Sequence, residues 1–418
     1  MKKIIILFAL FLALPIIAHA AVSVSGISGT VSNNSSVTVS GAGFGTKAQA
    51  APLKWDNFES GAVGSVIGNG SGIIPWYHNT SNYVTGCPGD SCLISGYLPP
   101  VYDNTVVRSG SNKSLFCDIN TKPYQYEGGF GLNLTDQVPY VYISGWRYTQ
   151  TFGPPSRSIK AFRTYGTNTN LHPVIGTNYM YPYGASPGAL LFGYSETKSN
   201  VAWFSENTNS TWKTGVWERV EYFAKQSDPG IANGSYSYAV DGKLVASMSN
   251  VVLRDSASEN WRQINLGHYY ARDDSSTPGI LTGAGVKYWY DDVYIDTTQT
   301  RVELGNASAW TASTRREIQI PTAWSDSSVS FTTNQGAFNS GDQAYVYIVD
   351  KDGNVNTNGY PVTIGGAVTP PPTPTTYNLT NFTQLVADWL KTVSSPADVN
   401  SDGKVNSQDL GIMMSNWN

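Results

Sequence analysis

The chain has 418 residues and a formal net charge of −4, and only 13% of its residues are charged against a usual ~25%. So small a charge over this length leaves no polycationic face, which excludes a nucleic-acid binder driven by phosphate contacts. The length exceeds a single hydrophobic core, so about two to four domains are expected, and the wealth of Gly, Ser, Thr, Asn and aromatic residues suits a rigid extracellular β-protein.

Lys2 and Lys3 precede an apolar stretch from Ile4 to Ile17, and Ala18-His19-Ala20 supplies a small-x-small cleavage site. Residues 1–20 therefore read as a signal peptide, and a secreted or cell-surface protein beginning at Ala21 is expected. The apolar stretch is short for a bilayer, and no second run of about 18 apolar residues follows, so no membrane span is expected after cleavage.

From Val22 to Phe331 the periodicity is that of strands. Val22–Ser25, Val37–Ser40, Tyr140–Ile143 and Ser235–Tyr238 alternate or carry β-rich residues between turn clusters. Asp241-Gly242, between Tyr236–Val240 and Leu244–Ala246, marks a two-residue hairpin. A mainly β protein built from a sandwich or jelly roll is expected.

The opening segment, Ile27-Ser-Gly-Thr30 followed by Val37-Thr-Val-Ser-Gly-Ala-Gly-Phe-Gly45, resembles the first strands of the IPT/TIG immunoglobulin-like family. Its closing half comes much later, in Tyr345–Val349, Asp352-Gly-Asn354 and Tyr360–Ile364. The expected organisation is an Ig-like domain split into residues 21–53 and 299–366, with residues 54–298 inserted between the parts. Insertions of this kind succeed at exposed loop tips, where domain ends lie close together.

Within the insert, Val216-Trp-Glu-Arg-Val-Glu-Tyr222, Tyr238-Ala-Val-Asp-Gly-Lys243 and Tyr288-Trp-Tyr-Asp-Asp-Val-Tyr-Ile-Asp296 resemble strands of the concanavalin-like, laminin-G-like jelly rolls. That fold hosts lectins, hydrolases, lyases and adhesive modules alike, so it does not decide function. Cys87 and Cys92 flank a turn-forming Pro-Gly-Asp-Ser and are candidates for a local bridge, whereas Cys117 is expected to be a buried free thiol.

Two chemistries are open to the insert. Glycoside hydrolysis needs two carboxyl groups, about 5–5.5 or 6.5–9.5 Å apart, but the E-x-D-x-x-E string of jelly-roll glucanases is absent. Glu218 and Glu221 are three apart, which puts them on opposite faces of a strand, and Asp292 belongs to the closing-strand motif. Polysaccharide lyases need a base beside the uronate and a cation for the enolate-like charge. Ser158-Ile-Lys160-Ala-Phe162-Arg163-Thr-Tyr165 resembles the K-x-x-R strand of concanavalin-like lyases. Alternation puts Lys160, Phe162 and Thr164 on one face and Arg163 with Tyr165 on the other, making the latter the better binding pair. His172, His268 and Tyr269 are candidate bases or acids, and Arg147, Arg163 and Arg272 are candidate carboxylate binders, with a solvated strand face as the competing reading for each arginine. Trp76, Tyr77, Trp146, Tyr148, Trp203, Trp212, Trp261, Tyr269, Tyr270 and Trp289 supply aromatic faces, most of them for the core and a few for sugar stacking.

Pro370-Pro371-Pro372-Thr373-Pro374 marks a semi-rigid spacer, residues 367–376, before a helical tail. There, Asp398, Asn400, Asp402, the Lys404 carbonyl, Asn406 and Asp409 fall at positions 1, 3, 5, 7, 9 and 12 of an EF-type loop, with Gly403 at the sharp turn. A hard cation such as Ca²⁺ takes six to eight such oxygens at about 2.3–2.6 Å, so calcium is the expected cofactor. Asp at position 12 departs from the usual Glu, and residues 377–418 resemble a type I dockerin. A shift of 28 residues aligns Asn378 with Asn406, Asn381 with Asp409, Phe382 with Leu410 and Trp389 with Trp417. The ligand positions are not repeated, because Asp398, Asn400 and Asp402 then face Pro370, Pro372 and Pro374. The resemblance implies a cohesin-type partner met by Ser407 and Gln408, with docking onto the β-body as the rival.

Three functions fit these observations: a secreted, calcium-binding protein that binds extracellular polysaccharide, a polysaccharide-degrading enzyme, and a structural or adhesive surface protein. The lack of paired carboxylates ranks binding first and, among enzymes, a lyase above a glycoside hydrolase.

Overall fold

The computed structural model describes residues 21–67, 74–78, 83–84, 92–93, 99–118, 130–152, 158–165, 174–180, 190–196, 201–205, 213–271, 285–366, 377–391, 395–399 and 404–417. The described chain is mainly β, with two short α-helices near its end.

Its larger part is a two-layer sandwich. One layer is an eight-stranded sheet containing Tyr140–Phe152, Trp217–Lys225, Gly234–Val240, Lys243–Val251 and Gly285–Asp296. The other is a seven-stranded sheet in which Val201–Ser205, Leu190–Glu196, Val174–Met180, Ser158–Tyr165, Trp261–Ala271 and Phe130–Val138 lie side by side in that order. All pairings are antiparallel. Period-2 geometry buries alternate side chains: in Gly234–Val240, Tyr236 and Tyr238 are buried while Ser235 and Ser237 are half-buried. Residues of both layers meet in one core, where Phe162, Tyr222 and Tyr238 stack at centroid separations of 4.4 and 4.7 Å. Asp241-Gly242 closes a two-residue hairpin between Val240 and Lys243. Both residues have positive φ, 49° and 73°, the backbone twist that such a turn needs and that Asp-Gly supplies at low cost.

A second sandwich takes strands from both sides of the first. Ser36–Ala42 pairs with Ser23–Ser28 and, on its other edge, with Ser328–Thr332, so that Val37 lies opposite Phe331. Its other sheet runs Arg316–Ile318, Arg301–Gly305, Gln343–Val349, Tyr360–Thr363. Phe44, Val37, Val39, Val302, Leu304, Val346 and Ile348 fill the core between its two sheets.

The two sandwiches meet along a buried seam on the outer face of the eight-stranded sheet. Tyr142, Tyr294 and Ile318 form its apolar part. Beside them Glu303, fully buried, accepts hydrogen bonds from Arg219, Arg301 and Arg316 at 2.6, 2.5 and 3.0 Å. Arg108 pairs with Glu317 at 2.8 Å and with Asp292. Leaving either member of such a pair alone in the seam would strand a desolvated charge, so the ion pairs hold the sandwiches in one register.

Near the chain end, α1 (Leu379–Asp388) and α2 (Ser407–Ser415) flank a small core of Leu385, Ala397, Val405 and Met413. Asn378 and Asn406 cap them, each in a capping box closed by the third helical residue, Asn381 or Asp409. These are the positions that the 28-residue shift aligns, so the repeat is physically a repeated helix start.

Candidate functional site

The seven-stranded sheet has one face in the sandwich core and one turned away from it. On Trp261–Ala271, Ile264 and Leu266 are buried in the core, so Asn265 between them belongs to the outer face. On Ser158–Tyr165, Phe162 and Thr164 are buried, and Arg163 between them is half-buried on that same outer face. Backbone register sets these two side by side: Arg163 lies directly opposite Asn265.

The row continues across the sheet. Asn265 is opposite Gly131, Arg163 is opposite Gly176, Gly176 is opposite Tyr194 and Tyr194 is opposite Trp203. A guanidinium and a carboxamide are thus flanked in register by glycines. Gly131 is also demanded by packing, since a Cβ there would sit 1.8 Å from the Ile264 carbonyl oxygen. The next row holds Asn133, Gln263, Tyr165 and Val174.

Asn265 is only 3% exposed, and its Nδ2 has no hydrogen-bond partner among the described residues. Leaving a buried donor unmade costs about 1–3 kcal/mol, so such groups are rare and call for an explanation. An amide donor that a ligand satisfies is one.

The sequence-predicted residues fall unevenly about this row. Arg163 is in it, and Tyr165 follows in the next, opposite Gln263. His268 lies on the Asn265 strand, three residues further on, and Tyr269 is opposite Lys160. His172 and Arg272 lie outside the described residues, as do the side chains of Tyr165, His268 and Tyr269. A register shift between Lys160 and Phe162 breaks the strict alternation expected of that strand, so the facing of Lys160 cannot be counted from Phe162. Arg147, taken as a solvated or sugar-binding cation, is instead 1% exposed, and its guanidinium lies 3.6 Å from the Glu218 carboxylate. Burial pushes the Glu218 carboxyl up, against the opposing pull of Arg147.

Glu218 and Glu221 do lie on opposite faces, one against Arg147 and the other in the seam, where Tyr142 donates to it at 2.8 Å. Asp292 is in the seam as well, beside Asp291, whose carboxyl is raised well above the usual range by burial and by the Asp292 charge. These four carboxylates are all 8% exposed or less, so none of them forms an open hydrolytic pair. Asn265 and Gln263 escaped the sequence reading because neither ionises. The signal for them was the alternation Gln263-Ile264-Asn265-Leu266, polar residues on the face away from the core.

Cys117 is buried and unpaired, and burial pushes its thiol far up; Cys87 lies outside the described residues. Trp76, Trp261 and Trp289 are core residues, 5% exposed or less, whereas Trp146 and Tyr148 are half-buried.

In the C-terminal segment, Asn400, Asp402 and Gly403 lie outside the described residues. Asp409 is fully buried and accepts from the Val399 amide at 2.9 Å and the Asn406 amide at 2.8 Å. The loop's last carboxylate is thereby held against the peptide that follows Asp398, which closes the loop on itself. Val405 exchanges backbone hydrogen bonds with Leu390 and Lys391, and the side chains of Lys404, Ser407 and Gln408 are exposed. Among the described residues no group of three or more His, Cys, Asp or Glu is placed to hold a metal ion, and no helix is long and apolar enough to cross a membrane.

No protein-family model matches the chain, and no curated protein matches it. Solved structures that resemble it include an endo-β-1,4-glucuronan lyase from the fungus Trichoderma reesei, at 17% identity over 53% of this chain and 94% of that one, with a TM-score of 0.37. A PL-14 alginate lyase from Aplysia kurodai matches at 10% identity over 47% of this chain and 86% of that one, with a TM-score of 0.36. The cellulose-induced protein Cip1 matches at 15% identity over 59% of this chain and 97% of that one, with a TM-score of 0.37.

Proposed function

We propose that the protein cleaves acidic polysaccharide by β-elimination on the outer face of the seven-stranded sheet. The observation that carries this reading is the Arg163–Asn265 pair, a cation directly opposite a buried amide whose donor has no partner among the described residues. A uronate carboxylate accepts from both. As the base removes the proton at C5, negative charge spreads into the carboxylate, and donors already in place stabilise it without reorganisation. The C5–H electron pair forms the new C4–C5 double bond, the C4–O bond breaks, and the leaving oxygen takes a proton from the acid. Tyr165, His172 and His268 are the candidates for base and acid.

The test is incubation of the mature protein with alginate, glucuronan, pectate and a neutral glucan, following the ultraviolet absorbance of unsaturated uronate. Absorbance should grow on an acidic polymer, and Arg163→Ala should reduce the rate by about 10²–10³-fold, the usual effect of losing one such donor. Retention on a polymer without turnover would leave a polysaccharide-binding protein, and new reducing ends without absorbance would mean a hydrolase.

We also propose that residues 1–20 direct export and that the C-terminal segment binds Ca²⁺ through Asp398, Asn400, Asp402, Lys404, Asn406 and Asp409. The closed loop around Asp409 supports this reading. Exposed Leu379, Val386, Leu390 and Met414, each at least 56% accessible, support a protein-docking role for the same segment, for which a cohesin-type partner is the candidate.

A further inference from the structure

At one end of the seam the two sandwiches leave a groove of about 470 Å³, within the size range of carbohydrate and small-molecule sites. Its floor is the outer face of the eight-stranded sheet. Tyr140 lies directly opposite Lys225, and Tyr142 opposite Phe223. Val141 and Ala224 between them are in the core, so Tyr140, Phe223 and Lys225 turn outward together. The far wall comes from the second sandwich, where Gln299 Nε2 donates to the Lys351 carbonyl at 3.0 Å and ties Thr297–Gln299 to the Lys351 turn.

The groove joins aromatic and cationic side chains. Tyr140 is 37% exposed in it, with Phe223 half-buried alongside. Lys225 is exposed and has no ion-pair partner among the described residues. Lys351 reaches the same space, paired among the described residues with exposed Asp352, and surface pairs of that kind are readily exchanged. Two ammonium groups against one carboxylate make the groove locally positive on a chain whose net charge is −4. Aromatic faces stack on the C–H faces of sugar rings, lysines attract carboxylates, and the Ser235 hydroxyl and Gln299 carboxamide in the lining are groups that hydrogen-bond sugar hydroxyls.

We propose that this groove is a second, non-catalytic subsite for uronate-bearing polysaccharide. The inference rests on the reading that the protein acts on acidic polysaccharide, and it adds where else the polymer is held. The groove and the Arg163 row lie on different sheets, facing away from each other across a sandwich whose layers are about 10 Å apart. No short oligosaccharide spans both. A long polymer, or neighbouring chains in a gel or wall, engages both at once, and a second tethered contact raises avidity without any new contact at the first site.

The experiment compares wild type, Tyr140→Ala/Lys225→Ala, Arg163→Ala and the triple variant by affinity electrophoresis in gels containing the acidic polymer, with turnover of a short oligouronate measured in parallel. The double variant should lose at least about tenfold in polymer affinity while cleaving the short substrate at the wild-type rate. Arg163→Ala should still be retarded, and the triple variant should not. Because that last comparison reads binding alone, it holds even if no glycan is cleaved. Equal retardation of wild type and double variant, or of Arg163→Ala and the triple variant, overturns the proposal. So does an Arg163→Ala protein that fails to bind any acidic polymer.

Discussion

Replacing Asn265 by leucine separates the catalytic reading of the sheet from a purely structural one. Leucine branches at Cγ as asparagine does, so it fills the same space beside Gly131 and Arg163 without a polar atom. The amide it removes is 97% buried, the complement of its 3% exposure, and has no partner among the described residues. An unmade buried donor costs about 1–3 kcal/mol, so Asn265→Leu should stabilise the protein by up to that amount. For a domain of this size each kcal/mol moves Tm by about 2–4 °C. Activity on acidic polymer should move the other way and fall by about 10²–10³-fold. Thermal unfolding followed by circular dichroism, together with the absorbance assay on the same preparations, measures both. A variant that is less stable yet fully active would show that Asn265 is an ordinary structural amide, and the assignment of the row would fall with it.

The seam makes its own predictions. Burial alone would raise the carboxyl of Glu303, but Arg219, Arg301 and Arg316 outweigh it and hold that group well below the ordinary carboxylate range. Its folded value is depressed, so the stability it contributes is present above the unfolded glutamate value of about 4.3 and is lost as pH falls below it. Glu303→Gln should cost about 3–5 kcal/mol at neutral pH, by leaving guanidiniums unpaired in the seam, and should flatten the acid limb of a stability–pH curve; an unchanged acid limb would refute that origin. In the C-terminal segment, Ca²⁺ should raise the helix signal and the unfolding temperature of the isolated transition, and Asp398→Ala/Asp402→Ala should abolish the shift. A calcium response that survives that double change would place the ion elsewhere.

Much of the local structure follows from nearby residues. Asp241-Gly242 makes its hairpin because two adjacent residues accept positive φ, and Asn378 and Asn406 start their helices because each side chain reaches back to amides two or three residues on. Tyr236 and Tyr238 turn inward because strand geometry alternates every residue. Period, turn chemistry and capping act within a few positions, and the sequence alone determines them.

The candidate site does not share that property. Arg163 is identifiable as a cation on a strand, but its neighbour Asn265 is brought beside it only by the pairing of strands far apart in the chain. That register is settled by which side chains the core accepts, and a shift such as the one between Lys160 and Phe162 changes facing without any mark in the residue pattern. Buried charges are similar: Arg147 and Glu218 on one face of the eight-stranded sheet, and Glu221 and Asp292 in the seam on the other, look like solvent-facing charges in sequence, because burial of an ion pair depends on a partner surface that the strand itself does not encode. Local residue pattern therefore accounts for the β-rich architecture and the repeated helix starts. Which polar groups meet and which are cut off from water is set by packing across distant strands, because desolvation and long-range register are properties of the packed whole.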